Sequence, residues 1–137
     1  MKKMFTILIA DKNRNVREFL RRELSAEGYE VAVAEDCGRI LTEIEREGGV
    51  DLLVFDLEMP GADSSQIFEK TQKRRPPLPV IVHTFLTEEA ERNNSGKGEI
   101  YIEKSGNIDH LKAAIADMLK RFYPDRHPYG GSADTVR

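Results

Sequence analysis

Residues 51–61 read DLLVFDLEMPG: four consecutive apolar residues stop at an aspartate, and the chain then opens into Met-Pro-Gly. A short apolar run without a polar face reads as a strand covered on both sides, the environment of a parallel sheet. Working outward, the same pattern recurs in FTILIA (5–10), YEVAVA (29–34) and PVIVHT (79–84), and more weakly in EIYIEK (99–104). Between these runs lie segments with helical spacing. They carry Val16, Phe19, Leu20 and Leu24; Ile40, Leu41 and Ile44; Ile67, Phe68 and Thr71; and the most regular set, Ile108, Leu111, Ile115, Met118, Leu119 and Phe122. Gly28, Asp36, Gly48 and either Asp63 or Ser64 mark helix ends. The alternation predicts an α/β fold, a doubly wound five-stranded parallel sheet with right-handed crossovers. The third and fourth strands should be central, and YEVAVA, which alternates and starts polar, should lie towards an edge. The segment LTEEAERNNSGKGE (86–99) offers Leu86 and Ala90 as its apolar anchors, so the fourth helix is expected to be weak or absent.

The chain has 137 residues, 39% apolar and 33% charged, which suits one domain with a core of its own. We place that domain at residues 1–123. The stretch PDRHPYGGSADTVR (124–137) lacks an apolar period and is expected to be a flexible end. A net charge of −3, with Lys and Arg spread along the chain, argues against direct nucleic-acid binding. The start, MKKMFTILIADKN, is too short and too soon charged for a membrane span or signal peptide, and the single Cys37 has no intrachain disulfide partner. A cytoplasmic setting is the expectation.

In an open parallel sheet, ligands gather outside the carboxyl ends of the strands, where strand order reverses. Asp11, Asp56, Thr84 and Lys104 all fall there. Singly, a strand-ending Asp reads as a helix cap and a terminal Lys as a solvated charge. Together, at the ends of four strands, they make a constellation that packing does not explain. Neighbouring carboxylates share a proton or hold a cation, and hydroxyl and ammonium donors suit an oxyanion such as a phosphoryl group.

On these residues, and above all on VFDLEMPG with its spacing to VIVHT and YIEKSGNIDHLKAAI, the chain resembles the receiver domains of bacterial response regulators, of the single-domain chemotaxis type, over about residues 5–123. The resemblance implies a flavodoxin-like strand order 2-1-3-4-5 and phosphorylation of Asp56 by a histidine kinase or phosphotransfer protein. It implies Mg2+ on Asp11, Asp56 and the backbone carbonyl of Glu58, phosphoryl binding by Thr84 and Lys104, and Tyr101 as a switch aromatic. Output would pass through an unidentified downstream protein. The domain would then be a switch and not an enzyme, apart from self-catalysed phosphotransfer and dephosphorylation.

This sequence departs from the family at several positions. Lys12 follows Asp11 where a second acid is usual, removing a direct metal ligand and adding a cation. At about 4 Å and an effective dielectric of about 20, each unit-charge interaction is worth roughly 4 kcal/mol, so Mg2+ binding is expected to weaken by several powers of ten. Lys12 is expected either to lie beside Asp56 and replace part of the cation's work, or to point to solvent. Phe85 follows Thr84 where a small residue is usual and narrows access to the acceptor. Ser105 replaces the usual proline after Lys104. His83 reads as a hydrogen-bonded core histidine, Cys37 as a small, partly buried residue, and Arg17, Arg21 and Arg22 as a polar helix face open to solvent or to a kinase. Two functions follow: a phosphoaccepting receiver, or a pseudo-receiver that is never phosphorylated and acts as a constitutive interaction module. A flavin or phosphate-ester enzyme on the same fold finds no Gly-rich phosphate loop after the first strand.

Overall fold

The computed structural model describes residues 4–46, 49–59, 64–84, 99–104 and 107–126. Five parallel strands form one sheet: β1 (Thr6–Ala10), β2 (Glu30–Ala34), β3 (Leu52–Phe55), β4 (Val80–Thr84) and β5 (Glu99–Glu103), in the order β2-β1-β3-β4-β5. Four helices are described: α1 (Arg14–Ala26), α2 (Cys37–Glu45), α3 (Ser64–Lys73) and α4 (Ile108–Phe122). The expected helix within 86–99, the boundary marks Gly48 and Asp63, and the substitutions Phe85 and Ser105 lie outside the described residues.

Local chemistry sets the helix ends. Asn13 caps α1 by accepting from the backbone N–H groups of Asn15 and Val16, Asp36 caps α2 through Arg39 N–H, and Asn107 caps α4 through Asp109 N–H. Gly28 ends the turn after α1 at φ +99°, a left-handed conformation that a side chain would strain.

Strand alternation sorts the core into two layers. Leu8, Leu53, Phe55, Val80 and Val82 pack under Ile40, Ile44 and Ile67 from α2 and α3. Ile7, Ile9, Leu52, Val54 and Ile81 face the other way, under Leu20 and Leu24 of α1 and Leu111, Ile115 and Met118 of α4. Each of these fully buried side chains contributes roughly 1.5–3 kcal/mol. Phe19 departs from the expected core set: it is 40% exposed, because Leu20 and Leu24 already fill the inward face of α1. Among the described residues, no helix is long and apolar enough to cross a membrane.

The stretch expected to be loose beyond Tyr123 begins as part of the fold. Arg126 donates to both carboxylate oxygens of Asp51, at 2.9 and 3.3 Å, and its guanidinium lies over the Phe5 ring, 4.5 Å from the centroid. The buried Tyr123 donates its hydroxyl hydrogen to the Asp51 carbonyl and accepts from Arg74. Composition hid these contacts because an ion pair spanning 75 positions leaves no local pattern.

Candidate functional site

Register places the site residues. Ala10 lies opposite Phe55 on neighbouring parallel strands, so Asp11 and Asp56 are the next residues of each, and Asp56 N–H donates to the Ala10 carbonyl at 2.9 Å. Across the sheet Thr84 is paired with Glu103, and the N–H of Lys104 donates to the Thr84 carbonyl at 2.7 Å. Asp11, Asp56 and Thr84 are buried, with exposures of 1%, 2% and 7%.

The centre is an ion triad. Lys104 Nζ lies 2.9 Å from Asp11 Oδ2 and 3.1 Å from Asp56 Oδ2. The other oxygen of each carboxylate accepts a backbone N–H, Asn13 N–H on Asp11 Oδ1 at 2.8 Å and Glu58 N–H on Asp56 Oδ1 at 3.0 Å. These bonds fix both carboxylates in place. Burial disfavours the Lys104 ammonium, but its hydrogen bonds to Asp11 and Asp56 outweigh that and hold its pKa above the ordinary 10.5. Two buried carboxylates sharing one ammonium leave one formal negative charge. Hard oxygen donors around a residual negative charge fit a divalent cation such as Mg2+, with Asp11 and Asp56 as the anionic ligands and the Glu58 carbonyl as a neutral one. Among the described residues, no group of three or more His, Cys, Asp and Glu side chains offers a metal site.

Lys12 does not lie beside Asp56; it stays at the surface, as the other expectation had it, and is paired there. Its ammonium is 2.8 Å from Glu58 Oε1, on the rim of the site, and both side chains are more than half exposed. The Glu58 hydrogen bond, then the Glu58 charge, raise the Lys12 pKa. Two anions compete for this ammonium, and Glu58 holds it at the surface with less loss of water than a move onto the buried Asp56 would bring. Counting Glu58, three carboxylates face two ammoniums, a formal charge of minus one.

Other residues complete the surroundings. Arg17, expected on the outer polar face of α1, donates from Nη1 to the Asp11 carbonyl at 2.7 Å and ties the helix to the loop that carries Asp11 and Lys12. Its signal was positional, because the first turn of a helix faces the strand end that precedes it. Tyr101 is half-buried on β5 and packs against the α2–α3 core layer. His83 is buried, as expected of a core histidine, and among the described residues its Nδ1 has no hydrogen-bond partner. Burial lowers its pKa below the ordinary 6.5, and the Lys104 charge adds to that, against the opposing pull of Asp11 and Asp56. It lines a cavity of about 110 Å3 with Lys104, Phe19 and Ile108, between α1 and α4. Cys37 is fully buried at the start of α2.

Comparison with known proteins agrees with this geometry. The family model described as the response regulator receiver domain matches residues 7–116. The response regulator MprA of Mycobacterium leprae is 34% identical over 121 residues, covering 87% of this chain and 53% of that protein, and MprA of Mycolicibacterium vanbaalenii is 32% identical with 87% and 52% covered. The chain thus spans about half the length of the curated relatives it matches. The response regulator TrrA of Thermotoga maritima, solved in complex with Mg2+-BeF, superposes with a TM-score of 0.72 at 32% identity, covering 85% of this chain and all of that one. A CheY-like receiver domain from Methanospirillum hungatei gives 0.78 at 29% identity, with 90% and 99% covered. With its five parallel strands in the order 2-1-3-4-5 and its carboxylates at the ends of β1 and β3, the chain belongs to the response regulator receiver family.

Proposed function

We propose that Asp56 accepts a phosphoryl group from a histidine kinase or phosphotransfer protein, and that the phosphorylated domain signals by altered binding to a downstream protein. The observation that carries this reading is the Lys104 ammonium held between two buried carboxylates at the ends of adjacent strands. An Asp56 carboxylate oxygen attacks the phosphorus of phosphohistidine; the P–N bond breaks as the P–O bond forms, and the imidazole leaves after taking a proton. Lys104 neutralises charge on the phosphoryl oxygens, and the Thr84 hydroxyl donates to one of them. Asp11 keeps Lys104 in place. Glu58 N–H, on Asp56 Oδ1, orients the nucleophile.

Mg2+ would be held by Asp11, Asp56 and the Glu58 carbonyl, and when bound it neutralises charge on the transferring group. We expect weak binding, because Lys12 stands where a third acid would add a ligand. New contacts from the phosphoryl oxygens to Thr84 and Lys104 bias the loops after β4 and β5, and Tyr101, on β5, reports the change. The domain is a phosphoacceptor switch whose chemistry is confined to its own phosphorylation and hydrolysis.

The pseudo-receiver reading draws on the Lys12–Glu58 pair, since Lys12 and Lys104 offset much of the site's acidity in the absence of any ligand. Intact-mass spectrometry after incubation with acetyl phosphate, with Mg2+ or with chelator, separates the two. A phosphoryl adduct absent from Asp56→Asn supports the acceptor. No adduct from acetyl phosphate or from a phosphorylated histidine kinase supports the interaction module.

A further inference from the structure

We infer that Glu58 is a positioning residue whose carboxylate holds Lys12 away from Asp56, so that the acceptor stays open to a phosphoryl group. This rests on the phosphoacceptor reading of Asp56. Glu58 acts twice on the site: its backbone N–H donates to Asp56 Oδ1 at 3.0 Å, and its side chain takes the Lys12 ammonium at 2.8 Å. Lys12 is attached to Asp11 by one peptide bond, and its ammonium feels the Asp56 charge as well as that of Glu58. Asp56 already accepts from Lys104.

Without the Glu58 carboxylate, the flexible Lys12 side chain has Asp56 as the neighbouring anion that draws it. A second ammonium on Asp56 would occupy a lone pair needed for attack and lie across the phosphoryl approach. Lys104 is tied to two strand ends, whereas Lys12 is exposed and held by Glu58 alone among the described ion pairs. The exposed ion pair matters little for stability, in keeping with surface pairs generally, and matters for the acceptor through where it leaves Lys12.

The test is a double-mutant cycle with two readouts, in variants whose surface changes leave the core untouched. Glu58→Gln keeps shape and removes the charge. The rate of the acetyl phosphate adduct at saturating Mg2+ should fall by about tenfold or more, the effect of one misplaced charge-assisted hydrogen bond. In a Lys12→Met background the same change should alter the rate by less than about twofold, because no ammonium remains to be misplaced. An equal loss in both backgrounds, or a faster Glu58→Gln single variant, overturns the proposal. The crystal structure of Glu58→Gln supplies the second readout: Lys12 Nζ within hydrogen-bond distance of Asp56 is expected, and Lys12 still turned away from it overturns the proposal. If the wild-type protein takes no phosphoryl group, the acceptor reading fails by itself, and the position of Lys12 in that structure still decides whether Glu58 restrains it.

Discussion

The two ends of the sheet handle their acids in opposite ways. At the amino ends of the strands, Asp51 receives both arms of the Arg126 guanidinium, together with the Thr6 N–H at 2.8 Å, while Arg74 bonds the Val50 carbonyl and the Tyr123 hydroxyl. A planar fork matched to one carboxylate balances that charge with paired hydrogen bonds. At the carboxyl ends, Asp11 and Asp56 share the single ammonium of Lys104, a point charge on a flexible stem. One end is a structural knot of ion pairs and hydrogen bonds. The other leaves one formal negative charge among the described residues, two buried carboxylates against one ammonium.

The largest effect that would break this contrast is Asp56→Asn, which should abolish phosphoryl uptake while leaving stability unchanged or slightly higher, because it relieves repulsion between like charges. Intact mass and urea unfolding together check it; a clear loss of stability would make the carboxyl end a structural knot too. Next, Asp51→Asn should cost about 2–3 kcal/mol in urea unfolding through loss of the charge-assisted bonds to Arg126, with phosphoryl uptake retained below the new midpoint. Third, Lys12→Asp should raise Mg2+ affinity on the order of tenfold or more by calorimetry, since an added acid and a lost cation act in the same direction.

The smallest effect concerns pH. The folded-state pKa of His83 is depressed below 6.5, so the unfolded chain takes up this proton first as the pH falls, and stability present above 6.5 is lost below it. His83→Gln should flatten the slope of stability in that window without moving the neutral-pH value by more than about 1 kcal/mol. An unchanged slope would place the acid sensitivity elsewhere. Lys104, with its pKa raised, has the opposite sense: its contribution holds below 10.5 and is lost as the pH climbs through the folded value.

Much of this was legible in the sequence. Parallel strands buried on both faces announce themselves as apolar runs, and their carboxyl ends fall in one place by topology, so Asp11, Asp56, Thr84 and Lys104 could be grouped before any geometry was known. Three features were not legible, each because it depends on contacts across the chain. Phe19 shares the helical period of core residues and becomes exposed because its neighbours fill the face first. The Arg126–Asp51 fork hides in a stretch whose Pro and Gly content reads as loose. Lys12 signalled an altered site, but its partner Glu58 lies 46 positions away on a loop and was counted for its backbone carbonyl alone.

Chemical trapping at residue level decides whether Asp56 is the phosphoacceptor. Borohydride reduces an aspartyl phosphate to the alcohol, marking the modified residue before the phosphoryl group is lost. Peptide mapping after acetyl phosphate and Mg2+ should find the reduced side chain at position 56, in the peptide that carries DLLVFDLEMPG. Label at another acid, or none under conditions that label a known receiver domain, would contradict the account.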